Sequence, residues 1–228
     1  MAERSFDWST FDAYLFDIDG TLANTRGGVH YNSFHTALRQ IYGCEGRIDS
    51  VPVHGNTDPG ILWAVAENAG VSREVFIAGL EGALQDMRQS VLSNRQEMKP
   101  ELCPGIPALL EELAARHKLL GLVSGNLEAI AWAKLEAAGI AKFFAFGSFS
   151  DMRSVRAQIF ADGRDKARAR LGKAQAEVCI VGDTPRDIAA ARDCGLPVIA
   201  VATGIYTAEQ LRANSPDFCA GCCAELLK

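Results

Sequence analysis

The sequence predicts an α/β fold: a doubly wound, Rossmann-like parallel sheet with an inserted helical cap. Short, continuous apolar segments recur along the chain, and amphipathic helical segments separate them, which is the alternation expected of βαβ units. The stretch between the first and second apolar segments is too long for a crossover and contains only helical patterns. We therefore expect a core formed by residues 1–26 and 100–228 and a cap domain formed by residues 27–99.

Five segments are predicted to be strands of this sheet. Each is apolar throughout and ends at polar or glycine residues, which is typical of strands buried on both faces. In chain order they are 13–16, 119–123, 143–146, 178–181 and 198–201.

The helices between these strands are predicted from apolar spacing and from capping residues. Asn126 is expected to cap the helix that ends at Gly139, and Thr184 with Pro185 to open the helix that ends at Gly195. Further helices are expected at 106–113 and, in the cap, at 31–42, from Asp58 to Gly70 and after Ser72.

Composition narrows the possible functions. The chain has 228 residues and a formal net charge of −5, which argues against a nucleic-acid partner. It shows no signal-peptide pattern and no apolar run of roughly 20 residues, so we expect a cytoplasmic protein without a membrane partner. The sequence does not distinguish a monomer from a homodimer. The seven cysteines are expected to be free thiols, and Cys219, Cys222 and Cys223 to belong to a terminal helix rather than to a zinc site.

Polar residues follow the predicted strands, where parallel sheets bind their ligands. Asp17 and Asp19 follow the first strand, Ser124 and Asn126 the second, and Asp183 the fourth, with Asp187 one helical turn further on. Crowded carboxylates repel each other unless a cation lies between them. Because these strand ends carry no His or Cys, the pattern favours Mg²⁺ over zinc. With Mg²⁺ bound, a carboxylate could attack a phosphorus atom.

Two of these segments carry a family resemblance. Asp17-Ile18-Asp19-Gly20-Thr21-Leu22 and the stretch from Val181 to Asp187 resemble the first and fourth motifs of the haloacid dehalogenase-like hydrolase superfamily, and Ser124 after its strand resembles the second. The resemblance covers nearly the whole chain, including the helical insertion, and is strongest to the phosphoglycolate phosphatase-like branch.

The resemblance implies roles for individual residues. Asp17 matches the nucleophile, and Asp19 the general acid and base. The family's magnesium ligands correspond to Asp17, the Asp19 backbone carbonyl and Asp183, with Asp187 as a further ligand or a support. Ser124 matches the hydroxyl that holds a phosphoryl oxygen, and its neighbours Gly125 and Asn126 are expected to bind substrate with it. For its acid role Asp19 should be protonated near neutral pH, which crowding by negative charge would favour.

Two assignments stay open at this point. The family's third motif is usually a Lys, but none stands between Phe143 and Asp165, so Arg156 is our choice over Arg153 and Lys166. In the cap, a loop from His54 to Asp58 could offer Asn56 and Thr57 to the substrate. The same loop could equally be a plain helix cap, with Asp58 at the N-cap. His30 and His35 are interpreted as ordinary residues of a cap helix.

The expected function is hydrolysis of a small phosphorylated metabolite, such as phosphoglycolate or a similar compound, with Mg²⁺ and an aspartyl-phosphate intermediate. A phosphomutase of the same fold and a non-catalytic phosphate-binding protein are the alternatives. The resemblance disfavours a dehalogenase, because Asp19 is present, and a phosphonate hydrolase, because the first Lys of the chain is Lys99.

Overall fold

A computed structural model describes residues 6–26 and 28–227 and shows a central parallel sheet of six strands. The order across the sheet is β5-β4-β1-β6-β7-β8, so the chain winds outward in both directions from β1. The strands are β1 (Ala13–Phe16), β4 (Leu119–Val123), β5 (Phe146–Ser148), β6 (Val178–Gly182), β7 (Val198–Val201) and β8 (Phe218–Ala220).

Helices cover both faces of this sheet, as the apolar strand sequences require. One face packs against α4 (Ile106–Ala115) and α5 (Glu128–Ala137). The other packs against α6 (Arg156–Leu171), α7 (Pro185–Asp193) and α8 (Ala208–Arg212). The predicted fold class is confirmed.

A helical insertion leaves and rejoins the core through two antiparallel strands, β2 (Ala23–Arg26) and β3 (Lys99–Leu102). Between them lie α1 (Val29–Tyr42), α2 (Asp58–Asn68) and α3 (Arg73–Ser93). These helices share a hydrophobic cluster, and Leu127, Ile130 and Ala133 at and after the start of α5 join that cluster from the core. The exact division into core and cap domains stays a prediction.

The longest helix of the insertion is α3, with 21 residues. Charged and polar residues are spread along it, as befits a helix that is buried on one side only. Within the described residues, we find no helix that combines the length and the apolar character needed to cross a membrane.

Two sequence-based predictions of secondary structure are wrong. The third strand lies at Phe146–Ser148 instead of 143–146, because residues Ala141–Phe143 close a 3₁₀ turn that anchors Phe143 and Phe144 by backbone hydrogen bonds. The three C-terminal cysteines do not share a terminal helix. Cys219 lies in β8, which pairs with β7, and Cys223 begins a 3₁₀ turn. Both strands have only three residues, too few to show a periodic pattern.

Candidate active site

Three buried aspartates meet at the carboxyl edge of the sheet. Asp17 follows β1, Asp183 follows β6, and Asp187 lies in the first turn of α7. One carboxylate oxygen from each lies within 4.8 Å of the others. Their residual exposures are 5%, 2% and 0%, so little water is available to separate the negative charges. The structure thus brings together the aspartates that the sequence placed at neighbouring strand ends.

Small residues make room for Asp183. Gly20 has a left-handed φ of +86°, and a Cβ there would lie 2.2 Å from Asp183 Oδ2. A Cβ at Gly204 would lie 1.8 Å from the same oxygen. The Thr21 hydroxyl donates a hydrogen bond of 3.0 Å to Asp183 Oδ1. The turn after β1 and the loop after β7 therefore fix the Asp183 carboxylate in one place.

The cation beside this cluster is Arg156, the first residue of α6. Its Nη2 lies 3.0 Å from Asp17 Oδ1, and its Nε donates a hydrogen bond of 2.7 Å to Asp187 Oδ1. The other oxygen of Asp187 accepts hydrogen bonds from the Thr184 amide and hydroxyl, which form a capping box at the start of α7. Both carboxylate oxygens of Asp187 thus already accept hydrogen bonds from protein groups.

The two rival cations of the third motif lie elsewhere. Lys166 Nζ donates a 2.7 Å hydrogen bond to the Gly147 carbonyl oxygen. Arg153 forms a half-exposed ion pair with Asp162. Of the three candidates, only Arg156 contacts the aspartate cluster in the structure.

A second cation, Lys134, contacts Asp19. Its Nζ lies 2.7 and 2.6 Å from the two Asp19 carboxylate oxygens and donates another hydrogen bond of 2.6 Å to Asn126 Oδ1. The Asn126 side-chain amide donates to Asp19 Oδ2 at 2.9 Å. Lys134 is 3% exposed, whereas Asp19 is 44% exposed because it faces an open cavity.

Sequence reasoning missed Lys134, although the sequence contained a signal for it. Ile130 and Ala131 lie on the buried face of α5, and Lys134 follows them at helical spacing on that same face. A lysine at a buried helical position needs an anion, and Asp19 is that anion. The pattern could therefore have predicted a carboxylate partner, but not which one.

The loop after β4 is built around Ser124. Its buried hydroxyl accepts hydrogen bonds from the Asn126 amide at 3.3 Å and from the Asn126 side chain at 3.1 Å. Asn126 does not cap α5, contrary to our prediction, because Asp19, Lys134 and Ser124 occupy its side chain. Asp151 replaces it and accepts a 2.6 Å hydrogen bond from the Glu128 amide.

The loop of the helical insertion from His54 to Asp58 packs directly on this segment. A Cβ at Gly125 would lie 2.1 Å from the Asn56 carbonyl oxygen, so only glycine allows the approach. Asp58 donates its backbone N–H to the Gly125 carbonyl oxygen at 2.7 Å, and its carboxylate accepts from the Leu127 amide at 2.8 Å. Asp58 therefore joins the insertion to the loop after β4.

Of the two residues predicted to bind substrate from this loop, Asn56 lines the cavity and Thr57 does not. Thr57 is the N-cap of α2, where its hydroxyl oxygen accepts a hydrogen bond from the Gly60 amide. Asp58, which we expected at the N-cap, is the first residue of the helix.

A cavity of about 290 Å³ lies between the sheet edge and the helical insertion. Asp17, Asp19, Lys134 and Arg156 line its core side, together with Gly125 and Asn126. Residues of α1 line the opposite side, among them His30, which we interpreted as an ordinary helix residue. Ser124 lies beneath this surface and does not line the cavity.

The carboxyl groups of the site have unequal acidities. Burial raises the pKa of Asp17 to about 7, although Arg156 opposes the shift, and burial raises the pKa of Asp183 well above its usual value. Burial also opposes ionisation of Asp19, but the charges of Lys134 and His30 and the hydrogen bonds from Lys134 and Asn126 together lower the Asp19 pKa. The pKa of Asp17 is thus above that of Asp19. We expected the reverse, because the sequence did not predict the contact between Lys134 and Asp19.

Comparison with known proteins reveals the relatives of the chain. Residues 14–201 match the model of the family described as haloacid dehalogenase-like hydrolase. The probable phosphatase IndB of Dickeya dadantii is 29% identical over 89% of this chain and 86% of its own length. A phosphoglycolate phosphatase of Synechococcus elongatus is 33% identical over 52% of this chain and 54% of its own. The crystal structure of CbbY from Rhodobacter sphaeroides in complex with phosphate shares the fold, with a TM-score of 0.70, 18% identity and coverage of 95% and 96%.

The raised pKa of Asp17 predicts how stability depends on pH. Between about pH 4 and pH 7 the folded chain binds more protons at Asp17 than the unfolded chain, so without divalent ions the free energy of unfolding should fall as the pH rises. Asp17→Asn should remove this loss and raise the free energy of unfolding at pH 8 in EDTA by about 1–3 kcal/mol.

Thermal unfolding at pH 5 and pH 8, with EDTA or with Mg²⁺, measures this effect. The control is Asp162→Asn, which removes a partly exposed carboxylate that pairs with Arg153 and is not a member of the cluster. Equal stability of wild type and Asp17→Asn at pH 8 in EDTA would contradict the prediction.

Proposed function

The chain belongs to the haloacid dehalogenase-like hydrolase family and is a phosphatase, and on this premise we propose that it hydrolyses small phosphomonoesters with Mg²⁺ through a phosphorylated Asp17. The observation that supports this most directly is the buried Asp17 carboxylate at the end of β1. It lies among two further carboxylates and beside Arg156, at the base of the cavity.

The residues of the cluster fit Mg²⁺. Three buried carboxylates supply hard oxygen donors within 4.8 Å of one another, and burial, together with the negative charge of neighbouring carboxylates, raises the pKa values of Asp17 and Asp183. We propose that Asp17, the Asp19 backbone carbonyl and Asp183 are the ligands. Asp187 has both oxygens engaged with Arg156 and Thr184, so we assign it to positioning Arg156. The bound ion would supply charge neutralisation of the carboxylates and of the substrate phosphate.

In the first half of the reaction, Asp17 acts as the nucleophile. An oxygen of its carboxylate forms a bond to phosphorus while the ester P–O bond breaks and the alcohol leaves. Arg156, beside Asp17, is placed to hold a phosphoryl oxygen and the charge that develops on it. Gly125 and Asn126 line the same cavity.

Asp19 moves the protons of both half-reactions. Its lowered pKa leaves Asp19 ionised in the free chain, so we propose that the negative charge of the bound phosphate raises this pKa and lets Asp19 take up a proton. The protonated Asp19 donates to the leaving alkoxide, and the resulting carboxylate then takes a proton from the water that attacks the phosphorus of phospho-Asp17. The attack breaks the acyl–phosphate bond, releases inorganic phosphate and restores the Asp17 carboxylate. Lys134 and Asn126 hold the Asp19 carboxylate at the cavity surface, so we assign them to positioning.

The metal requirement predicts that chelation stops turnover. EDTA should abolish phosphate release, and added Mg²⁺ should restore it. Asp183→Asn should raise the Mg²⁺ concentration needed for half-maximal activity by at least about tenfold, because it removes one charged ligand. Asp162→Asn serves as the control and should need no more Mg²⁺ than wild type. Undiminished turnover in EDTA would refute the metal requirement.

The division of labour between Asp17 and Asp19 predicts different defects. Asp17→Asn should form no phosphoenzyme with any substrate. Asp19→Asn should still be phosphorylated by an aryl phosphate, whose leaving group needs little protonation, but should react about 100- to 10,000-fold more slowly with an alkyl phosphate. Rapid-quench trapping of the labelled protein measures both steps. Equal losses on the two substrates in Asp19→Asn would be inconsistent with its proton-transfer role.

The three cations predict a graded series of activities. Arg156→Gln should lower kcat by about 100- to 1,000-fold, because it removes a charge that contacts the nucleophile. Lys134→Gln should lower kcat by about 10- to 100-fold through the loss of Asp19 positioning. Lys166→Gln, the matched control, removes only a hydrogen bond to the Gly147 carbonyl oxygen and should stay within about twofold of wild type. Steady-state measurement of kcat for the three variants tests this series. A loss of activity confined to Lys166→Gln would overturn the assignment of Arg156.

A further inference from the structure

The insertion side of the cavity contains polar atoms that lack partners. Among the described residues, six buried side-chain nitrogen or oxygen atoms make no hydrogen bond, and three of them belong to residues that line this cavity. They are Thr25 Oγ1, His30 Nε2 and Arg156 Nη2. Arg156 Nη2 still forms ion pairs with Asp17 and Asp187. Buried polar groups are rarely left without a hydrogen bond, so Thr25 Oγ1 and His30 Nε2 beside one cavity indicate a polar ligand.

Arg156 belongs to the phosphate end of the cavity, but Thr25 and His30 do not. Thr25 lies in β2, and His30 lies in the first turn of α1, both on the way into the helical insertion. His30 Nε2 approaches Asp58 Oδ2 to 3.2 Å, but no hydrogen bond of acceptable geometry joins the two atoms. Thr25 Oγ1 and His30 Nε2 are thus buried polar atoms, in residues that line the cavity, whose hydrogen bonds a polar leaving group can complete.

The wall around these two groups is largely apolar. Phe34, Ile48, Val53 and Ile61 line this side of the cavity, and all except Val53 are buried. Such a wall favours a carbon chain or a ring over a strongly hydrated group.

The charges of the described residues disfavour a second anionic group on the substrate. Asp58 is a buried carboxylate that lines the cavity and accepts a hydrogen bond from the Leu127 amide, so a further anion would meet like charge. The described lysine and arginine of the lining are Lys134 and Arg156, and both come from the core and are engaged with aspartates. Among the described lining residues, a carboxylate or second phosphate on the leaving group would therefore meet no lysine or arginine that is not already paired with an aspartate.

We propose that the insertion side of the cavity binds a neutral, hydroxyl-bearing leaving group with an apolar face, held by Thr25 and His30, and discriminates against phosphomonoesters with a second anionic group. The proposal rests on the proposed function, since it identifies the substrate class of that same site. It also disfavours phosphoglycolate as the preferred substrate.

Two matched substrate series test the proposal at two distances from the phosphate. The short series is 2-hydroxyethyl phosphate, 2-phosphoglycolate and ethyl phosphate. The long series is benzyl phosphate with a hydroxymethyl, carboxylate or methyl group at position 4. Within at least one series, kcat/KM should be about 10- to 100-fold higher for the hydroxyl compound than for the carboxylate, and several-fold higher than for the methyl compound.

Substitution of His30 gives a sharper test. His30→Lys introduces a cation and should shift the preference toward the carboxylate compounds by about tenfold or more. His35→Lys is the matched control, because His35 lies on the same helix but outside this cavity, and it should leave the preference unchanged. Thr25→Val should reduce the advantage of the hydroxyl compounds over the methyl compounds.

Binding measurements separate this proposal from the proposed function. Turnover of p-nitrophenyl phosphate reports on phosphatase activity alone, and its absence would refute the proposed function. The same two series can then be titrated calorimetrically into Mg²⁺-loaded Asp17→Asn, where the order of affinities still tests the binding site. The proposal is overturned if carboxylate compounds bind or react as well as hydroxyl compounds in both series, if no compound binds better than inorganic phosphate, or if His35→Lys shifts the preference as much as His30→Lys.

Discussion

Confinement of negative charge at one edge of the sheet is the constraint on which the rest of the site depends. Four aspartates converge there, three of them buried, and two buried cations partly balance them. Arg156 lies between Asp17 and Asp187, and Lys134 holds Asp19. Because removing charges from water is costly, each carboxylate is held by at least one fixed donor, and the remaining excess of negative charge is what a divalent cation would neutralise.

The topology accounts for how distant residues supply this site. The first aspartates follow the central strand β1, and its neighbours β4 and β6 contribute the adjacent loops. The cations come from α5 and α6, on opposite faces of the sheet, so that one approaches Asp19 and the other Asp17. The insertion reaches the same edge because β2 starts shortly after β1 ends. Asp58 then couples the insertion to the loop after β4 by two hydrogen bonds.

The sequence predicted the parts of this arrangement that follow from local pattern. Apolar runs located four of the six strands of the parallel sheet, and polar residues at strand ends predicted the aspartate cluster. Arg156 was chosen because the segment where the family resemblance implies a lysine contains none. The sequence could not predict contacts set by helix packing, such as Lys134 with Asp19, because these depend on which helix face meets which loop. The prediction for Asn126 was also wrong. Its position before α5 suggests a helix cap, but its side chain forms hydrogen bonds with Asp19 and Lys134 instead. His30 was missed for the same reason, since only the docking of α1 brings it to the cavity.

The two sides of the cavity therefore differ in what determines them. The core side is fixed by strand ends and tight glycine turns, where a single added Cβ at Gly20 or Gly125 would collide with a neighbour. The insertion side is formed by side chains of β2, α1, α2 and the loop before α2, and the helices behind it pack against each other and against α5. Such packing contacts tolerate substitution when volume is conserved. Chemistry at the phosphorus can thus stay constant while side chains of α1 and its neighbours change the leaving group that is accepted. In this chain those side chains present a hydroxyl, an imidazole and a buried carboxylate to the substrate, and that combination, rather than the motifs of the sheet edge, sets the selectivity.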